Sequence, residues 1–367
     1  MSGGPPVTHR VTLIPGDGIG PEVVDAARRA LEATGVAFEW DVHEAGAAAV
    51  ARGEAPLPDA VVSSVRECGV ALKGPLTTRT GGRHRSANLA LREQLGLHTN
   101  IRPCRAYPGG PSSRPGFDVV VARMTGEDLY AGPEYVAGGA DTEILRRAIA
   151  QTRGHAPPAD AGVTIKALSR GAVQRAARAS MAYARACGRL RVTVVHKATV
   201  MPGTDGLFLA AARDVAAAEF PGLEVDERLV DTVCHDLVTR PERCDVLFAP
   251  VVYGDLLSDL CAGLAGGLGL APGANLGDGC AVFEAVHGAA PRLAGRDRAN
   301  PMATILCGVL LLRHLGEDRA ARRLEGAVAA VIAAGRTVTY DLRPDHDEVG
   351  AAGTREATDA VVAALSA

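Results

Sequence analysis

Short apolar, β-branched runs alternate along this chain with longer stretches of helical period, and that alternation restricts the fold more than any other feature of the sequence. Residues 117–122 (FDVVVA) give the clearest strand signal. Residues 11–14, 70–72, 163–168, 191–196 and 245–250 read as further strands. A helix is predicted from Pro21 to about Ala33, because Pro at the first helical position and Glu22 beside it suit a helix start. Helices are also predicted over residues 169–187, 255–264 and 317–334. Alternation of this kind implies an α/β fold with some parallel sheet. Residues 153–161 (RGHAPPADA) read as a linker or arm.

The length of 367 residues allows a large buried core and suggests two domains or one large one. The net charge of -3 argues against a nucleic-acid or membrane partner, and an aromatic content of 4% argues against stacking platforms for bases. No apolar run approaches the ~18 residues of a membrane span. The N-terminus, MSGGPPVTHR, lacks the apolar stretch of a signal peptide. None of the eight cysteines forms a C-x-x-C pair, so buried reduced thiols and a cytoplasmic location are expected.

Three segments carry chemistry. Gly16-Asp17-Gly18-Ile19-Gly20-Pro21 falls short of the G-x-G-x-x-G dinucleotide fingerprint because Pro21 replaces its last glycine; a tight strand-to-helix turn accounts for it as well. Asp255 and Asp259, in YGDLLSD, are four apart, which on a helix stacks two carboxylates one turn apart on one face. Like charges so placed repel unless a cation neutralises them, and hard oxygen ligands suit Mg²⁺ or Mn²⁺. The glycine-rich run at residues 266–275, followed by EAVHGAAP (284–291), can present backbone N–H groups to phosphate, though loop punctuation explains it equally. Among Arg85, Arg92, Arg102 and Arg123, the last two stand at a loop and a strand end, where bidentate carboxylate recognition is easily built.

Taken together, IPGDGIGPE (14–22), LKGPLTT (72–78), RSANLALR (85–92), NIRP (100–103), GEDLYAG (126–132), VTVVHKATVMPGTDGLF (192–208), YGDLLSDL (253–260), GLAPGAN (269–275) and ANP (299–301) resemble, in order and over nearly the whole chain, the isocitrate and isopropylmalate dehydrogenases, the β-decarboxylating group. The resemblance implies that group's own α/β fold rather than a standard Rossmann fold. It implies a large cofactor-binding domain from residues 1–103 and 245–367, and a smaller α/β domain from 104–244 whose arm, around 133–165, clasps a second copy in a homodimer with shared active sites. It implies Lys197, lent by the neighbouring subunit, as the base side and Tyr130 as the acid. Asp255 and Asp259, with Asp231 from the partner, would hold Mg²⁺ or Mn²⁺. Arg92, Arg102 and Arg123 would grip substrate carboxylates. Lys73, Thr78, Asn88, His287, Gly288, Ala290, Arg292, Asn300 and Tyr340 would meet the dinucleotide.

Ser86 and Asn88 favour a carboxylated branch on the substrate, hence isocitrate, since facing an alkyl group would leave each unpaired at about 1–3 kcal/mol. Three departures from the family pattern, Arg123-Met124-Thr125-Gly126-Glu127-Asp128, Thr199 and Val251, keep homoisocitrate, isopropylmalate and other 3-substituted malates open. Arg292, where NAD enzymes of the family place an aspartate, can accept a 2′-phosphate, and Tyr340 points the same way, so NADP is favoured slightly over NAD. The acidic stretch 345–348 and Leu293 depart from the NADP pattern. A non-catalytic regulatory subunit is the alternative of another class; retention of Tyr130, Lys197, Asp231, Asp255 and Asp259 argues against it.

Overall fold

A computed structural model describes residues 7–77 and 86–366. The described residues form twelve strands: β1 Thr8–Ile14, β2 Ala37–Val42, β3 Val70–Lys73, β4 Leu97–Arg105, β5 Asp118–Met124, β6 Glu134–Tyr135, β7 Val163–Thr164, β8 Arg191–His196, β9 Glu224–Leu229, β10 Val246–Ala249, β11 Ala274–Gly277 and β12 Ala281–Glu284. Ten of them form one sheet in the order β2-β1-β3-β12-β11-β4-β5-β10-β8-β9, while β6 and β7 pair separately. Strands β2, β1, β3 and β12 are mutually parallel, as are β5, β10, β8 and β9. Between the blocks, the β12–β11, β11–β4 and β4–β5 pairings are all antiparallel. Three reversals make the second block run opposite to the first. The carboxyl ends of the two blocks therefore lie at opposite edges of the sheet, with β11 and β4 between them.

Side-chain alternation divides β5 between two cores. Val120, Ala122 and Met124 pack with the helices Gly20–Glu32, Arg170–Ala186, Asp205–Glu219, Met302–His314, Asp318–Ala334 and Thr354–Ser366. Val119 and Val121 pack on the opposite face with the helices Val230–Thr239 and Val251–Ala265. The result is an α/β/α sandwich. The helix Met302–His314 is buried on nearly every side, as its apolar sequence requires of a central element. Among the described residues, no helix is long and apolar enough to cross a membrane. All eight cysteines are free thiols, Cys187 and Cys234 exposed.

The first glycine cluster is a turn. Asp17 N–H donates to the Pro75 carbonyl at 2.7 Å and Ile19 N–H to the Ala289 carbonyl at 2.9 Å. The Asp17 carboxylate accepts from Ala47 N and Thr77 N, each at 2.7 Å. Gly18 has φ +60°, and a Cβ there would lie 2.0 Å from the Ala289 oxygen. These backbone amides bind other loops, and a carboxylate fills the space an anion would need.

Two readings shift. The residue 163–168 segment pairs as a strand only over Val163–Thr164. Within residues 133–165, expected to form an arm, Ala140–Arg153 is a helix that the sequence reading does not assign; only Thr142 of it is buried.

Candidate active site

Cross-strand neighbours build the floor of the site. Asn275 on β11 faces Asn100 on β4, which faces Arg123 on β5, so three polar side chains form a row on one face of the sheet. Arg102, two residues beyond Asn100, points to the same side. Glu284 on β12 faces Lys73 on β3. This row lies on the face covered by the helix Val251–Ala265. Gly254 permits the close approach: a Cβ there would lie 2.3 Å from Arg123 Cβ. Asp255, the next residue, is thereby brought onto the arginines.

Hydrogen bonds run the length of the row. Lys73 Nζ lies 2.5 Å from Glu284 Oε2 and donates to Asn88 Oδ1 at 3.1 Å. Arg92 binds Glu284 Oε1 at 2.9 Å and Asn275 Oδ1 at 3.0 Å. Asn100 donates to Asn275 Oδ1 at 3.0 Å and accepts from Arg102 Nε at 2.7 Å. Arg102 Nη1 then meets Ser258 Oγ at 2.6 Å, Asp255 Oδ1 at 3.3 Å and Asp259 Oδ1 at 3.5 Å. Arg123 is ion-paired with Asp255, and the Tyr130 hydroxyl donates to Asp255 Oδ2 at 2.8 Å.

Charge in this row sets the ionisation of its members. Burial alone would raise the Glu284 carboxyl, but Lys73 and Arg92 outweigh it and hold it well below the usual carboxylate range. Burial also opposes ionisation of Asp255, yet Arg123 and Arg102 keep it below its ordinary value. Burial, reinforced by the Asp255 charge, lifts Asp259 despite Arg102. Burial and then the neighbouring Arg102 push Arg123 down to about 9. Tyr130 is raised by burial and by its bond to Asp255, which keeps its proton in place at neutral pH.

Asn88, Arg92, Asn100, Arg102, Glu284, His287 and Gly288 line one cavity of about 180 Å³. The expected cofactor residues Asn88, His287 and Gly288 thus share a space with the expected substrate arginines. Two buried polar atoms, Arg123 Nε and His287 Nε2, have no hydrogen-bond partner among the described residues. Such orphans fit a site shaped for a polar ligand. Lys73 itself is 1% exposed and committed to Glu284. Ser86 occupies the N-cap position of the helix Ala87–Gln94. Ala290 and Arg292 are exposed. Asn300 donates to Asp341 at 2.8 Å, and Tyr340 lies under the Arg298 guanidinium at 5.3 Å. Thr78 and Arg85 lie outside the described residues.

Lys197 and Asp231 stand in a second cluster, joined to each other at 2.7 Å. That bond holds Asp231 below its ordinary value. Among the described residues, no three His, Cys, Asp or Glu side chains of one chain converge as a metal site. Asp255 and Asp259 offer two hard oxygen donors of the right chemistry for Mg²⁺ or Mn²⁺, and a complete ligand set needs a further contribution. Four residues of the row had no assigned role in the sequence: Asn100, Asn275 and Glu284 lay inside quoted motifs, and Ser258 lay between the two aspartates.

The chain is similar to known proteins over nearly its whole length. The profile of the isocitrate/isopropylmalate dehydrogenase family matches residues 10–361. The chain is 41% identical over 335 residues to the mitochondrial NAD isocitrate dehydrogenase subunit alpha of Drosophila melanogaster, covering 91% of this chain and 83% of that one. It is 41% identical to the isocitrate/homoisocitrate dehydrogenase of Thermus thermophilus, covering 98% and 99% respectively. The crystal structure of isocitrate dehydrogenase from Methylococcus capsulatus superposes with a TM-score of 0.87 at 43% identity, covering 97% of this chain and 99% of that one. With a profile match over almost its whole length, relatives of matching length and a shared mixed-sheet fold, this chain belongs to the isocitrate/isopropylmalate dehydrogenase family.

Proposed function

We propose that this protein oxidises and decarboxylates a 3-carboxylated 2-hydroxy acid, with isocitrate as substrate and 2-oxoglutarate and CO₂ as products. The observation that carries the proposal is the convergence of buried Arg102 and Arg123, protonated Tyr130 and the Asp255–Asp259 pair at one opening. Arg92, Arg102 and Arg123 bind and orient the substrate carboxylates, with Ser86 and Asn88 beside the branch. Lys197 of a second copy takes the hydroxyl proton as hydride leaves C2. Loss of the C3 carboxylate as CO₂ leaves an enolate, and Tyr130 returns a proton to C3. A divalent cation held by Asp255 and Asp259, with Asp231 from the second copy, would polarise the C2 oxygen and stabilise the enolate charge.

A nicotinamide dinucleotide, held by Asn88, His287 and Gly288, would supply the hydride acceptor. NADP is preferred on the exposed Arg292; NAD is the alternative, supported by the NAD dependence in the name of the Drosophila relative. The division into a large domain (1–103 and 245–367) and a smaller one (104–244) belongs to the same proposal. So do the homodimer clasp around 133–165 and a cytoplasmic location. Separation of Lys197 and Asp231 from the Asp255 opening supports a site completed by a second copy.

The test is steady-state turnover by the purified chain of isocitrate, homoisocitrate, isopropylmalate and malate, with both dinucleotides and Mg²⁺ or Mn²⁺. Isocitrate is expected to show the highest kcat/KM, and chelation to abolish turnover. A chelator-insensitive rate, or no preference over malate, overturns the reading. An inactive chain that activates a catalytic partner identifies a regulatory subunit instead.

A further inference from the structure

Beneath the site lie three buried charges that the proposed chemistry does not use. Asp205 is completely buried, Asp128 is 1% exposed and Lys166 13% exposed at the side chain. Lys166 Nζ lies 2.6 Å from Asp205 Oδ1 and 3.7 Å from Asp128 Oδ1. Two acids against one ammonium leave a negative charge in a place where burial opposes it. Backbone donors answer that charge, and their positions are informative.

Asp128 Oδ2 accepts from Val251 N–H at 3.1 Å, at the start of the helix that carries Asp255 and Asp259, where the helix dipole favours a carboxylate. Its Oδ1 accepts from Leu129 N–H at 2.8 Å, and its carbonyl closes the turn by accepting from Gly132 N–H at 2.9 Å. Tyr130 rides on that turn. Asp128 holds it with φ +71°, a conformation a non-glycine residue keeps only when its surroundings enforce it. Asp205 Oδ2 accepts from Lys197 N–H at 2.7 Å, at the base of the turn that presents the Lys197 ammonium. Lys166 Nζ lies 5.3 Å above the Tyr253 ring, and burial, then the Asp205 charge, raises the Tyr253 hydroxyl to about 12.

We propose that Asp128, Lys166 and Asp205 are positioning residues: one buried ion triad fixes, as a unit, the Tyr130 turn, the Lys197 turn and the first turn of the Asp255 helix. This rests on the roles proposed above for Tyr130, Lys197 and Asp255. None of the three touches substrate. Each acts through a backbone amide or through its neighbour in the triad.

The test compares the full-length wild type with Lys166→Met, Lys166→Arg and Tyr253→Phe. In Lys166→Met, amide hydrogen exchange is expected to rise together at residues 129–132, 197–201 and 251–255, with β4 unchanged. Tyr253→Phe, which removes one hydroxyl and keeps the fold, is expected to give a smaller rise at 197–201 and 251–255. In turnover, Lys166→Met is expected to lower kcat by about tenfold to a hundredfold through misplacement of proton-transfer groups, with KM nearly unchanged. Lys166→Arg, which restores the charge, is expected to recover most of it. Exchange that rises only next to residue 166, or a KM effect without a kcat effect, overturns the proposal. If Lys166→Met does not fold, Asp128→Asn replaces it, and exchange unchanged at 197–201 in that variant overturns the proposal. Exchange needs no turnover, so a wild type inactive on every substrate overturns the proposed reaction while the triad is still decided.

Discussion

The polar floor and the open rim of this site are built from the same residue types and serve different ends. On the floor, Lys73, Glu284, Arg92, Asn275 and Asn100 satisfy one another, and their ionic members are at most 13% exposed at the side chain. At the rim, Asp259 is 59% exposed; in the second cluster, Asp231 is 63% exposed and paired with Lys197. A buried carboxylate bonded to two cations contributes to holding the fold together. An exposed one, left partly unanswered, is available to a ligand. Asp255 and Arg102 join the two regions and face both ways.

Substitutions of each carboxylate can break this division. Asp259→Asn is expected to lower kcat by about 10³-fold, the scale of losing one electrostatic contact to developing charge, and to weaken Mn²⁺ binding by the free chain. Its unfolding free energy should stay within about 0.5 kcal/mol of wild type, as for other surface positions. Glu284→Gln is expected to cost about 3 kcal/mol in chemical denaturation, because Lys73 and Arg92 lose their counter-charge in a buried setting. Its pH dependence follows from the depressed carboxyl: the stabilisation is complete above the ordinary glutamate value of 4.5 and declines as pH falls below it, so wild type and variant should converge in acid. A destabilised Asp259→Asn beside a stable Glu284→Gln would invert the assignment of floor and rim. The smallest effect sharpens the outer edge of the rim. Arg292→Asp is expected to raise the KM for NADP by about tenfold, a single-contact loss of about 1.4 kcal/mol, and to leave the KM for NAD nearly unchanged. Equal effects on both dinucleotides would remove Arg292 from cofactor discrimination.

Sequence reading reached the rim more easily than the floor. Asp255 and Asp259 announce themselves locally, since four residues is one helical turn. Asn100 and Asn275 meet across 175 positions and Arg92 and Glu284 across 192, and no local period encodes such pairs. The alternation of apolar runs with helical stretches did disclose the α/β class, and β8 matches its expected range of 191–196. What it could not disclose was the reversal of strand direction at β11, β4 and β5, because strand direction is set by tertiary connection. The 163–168 segment was misleading for a physical reason: beyond Thr164 the chain leaves its partner strand, and Lys166 turns inward to Asp205. The helix Ala140–Arg153 has apolar residues at helical spacing (Ile144, Leu145, Ala148, Ile149) yet buries only Thr142, so its apolar stripe meets no core that would mark it.

The proposed triad couples the two sites of a mixed assembly. In the dimeric reading, Tyr130 of a chain serves one catalytic mouth and Lys197 of that same chain serves the other, so a lesion at Lys166 travels to both. An assembly mixing one sound and one damaged copy would own no intact mouth, whereas a lesion confined to Tyr130 would spare one of the two. Damage at the hidden lysine would therefore cost a mixed dimer both mouths, and damage at the visible tyrosine one.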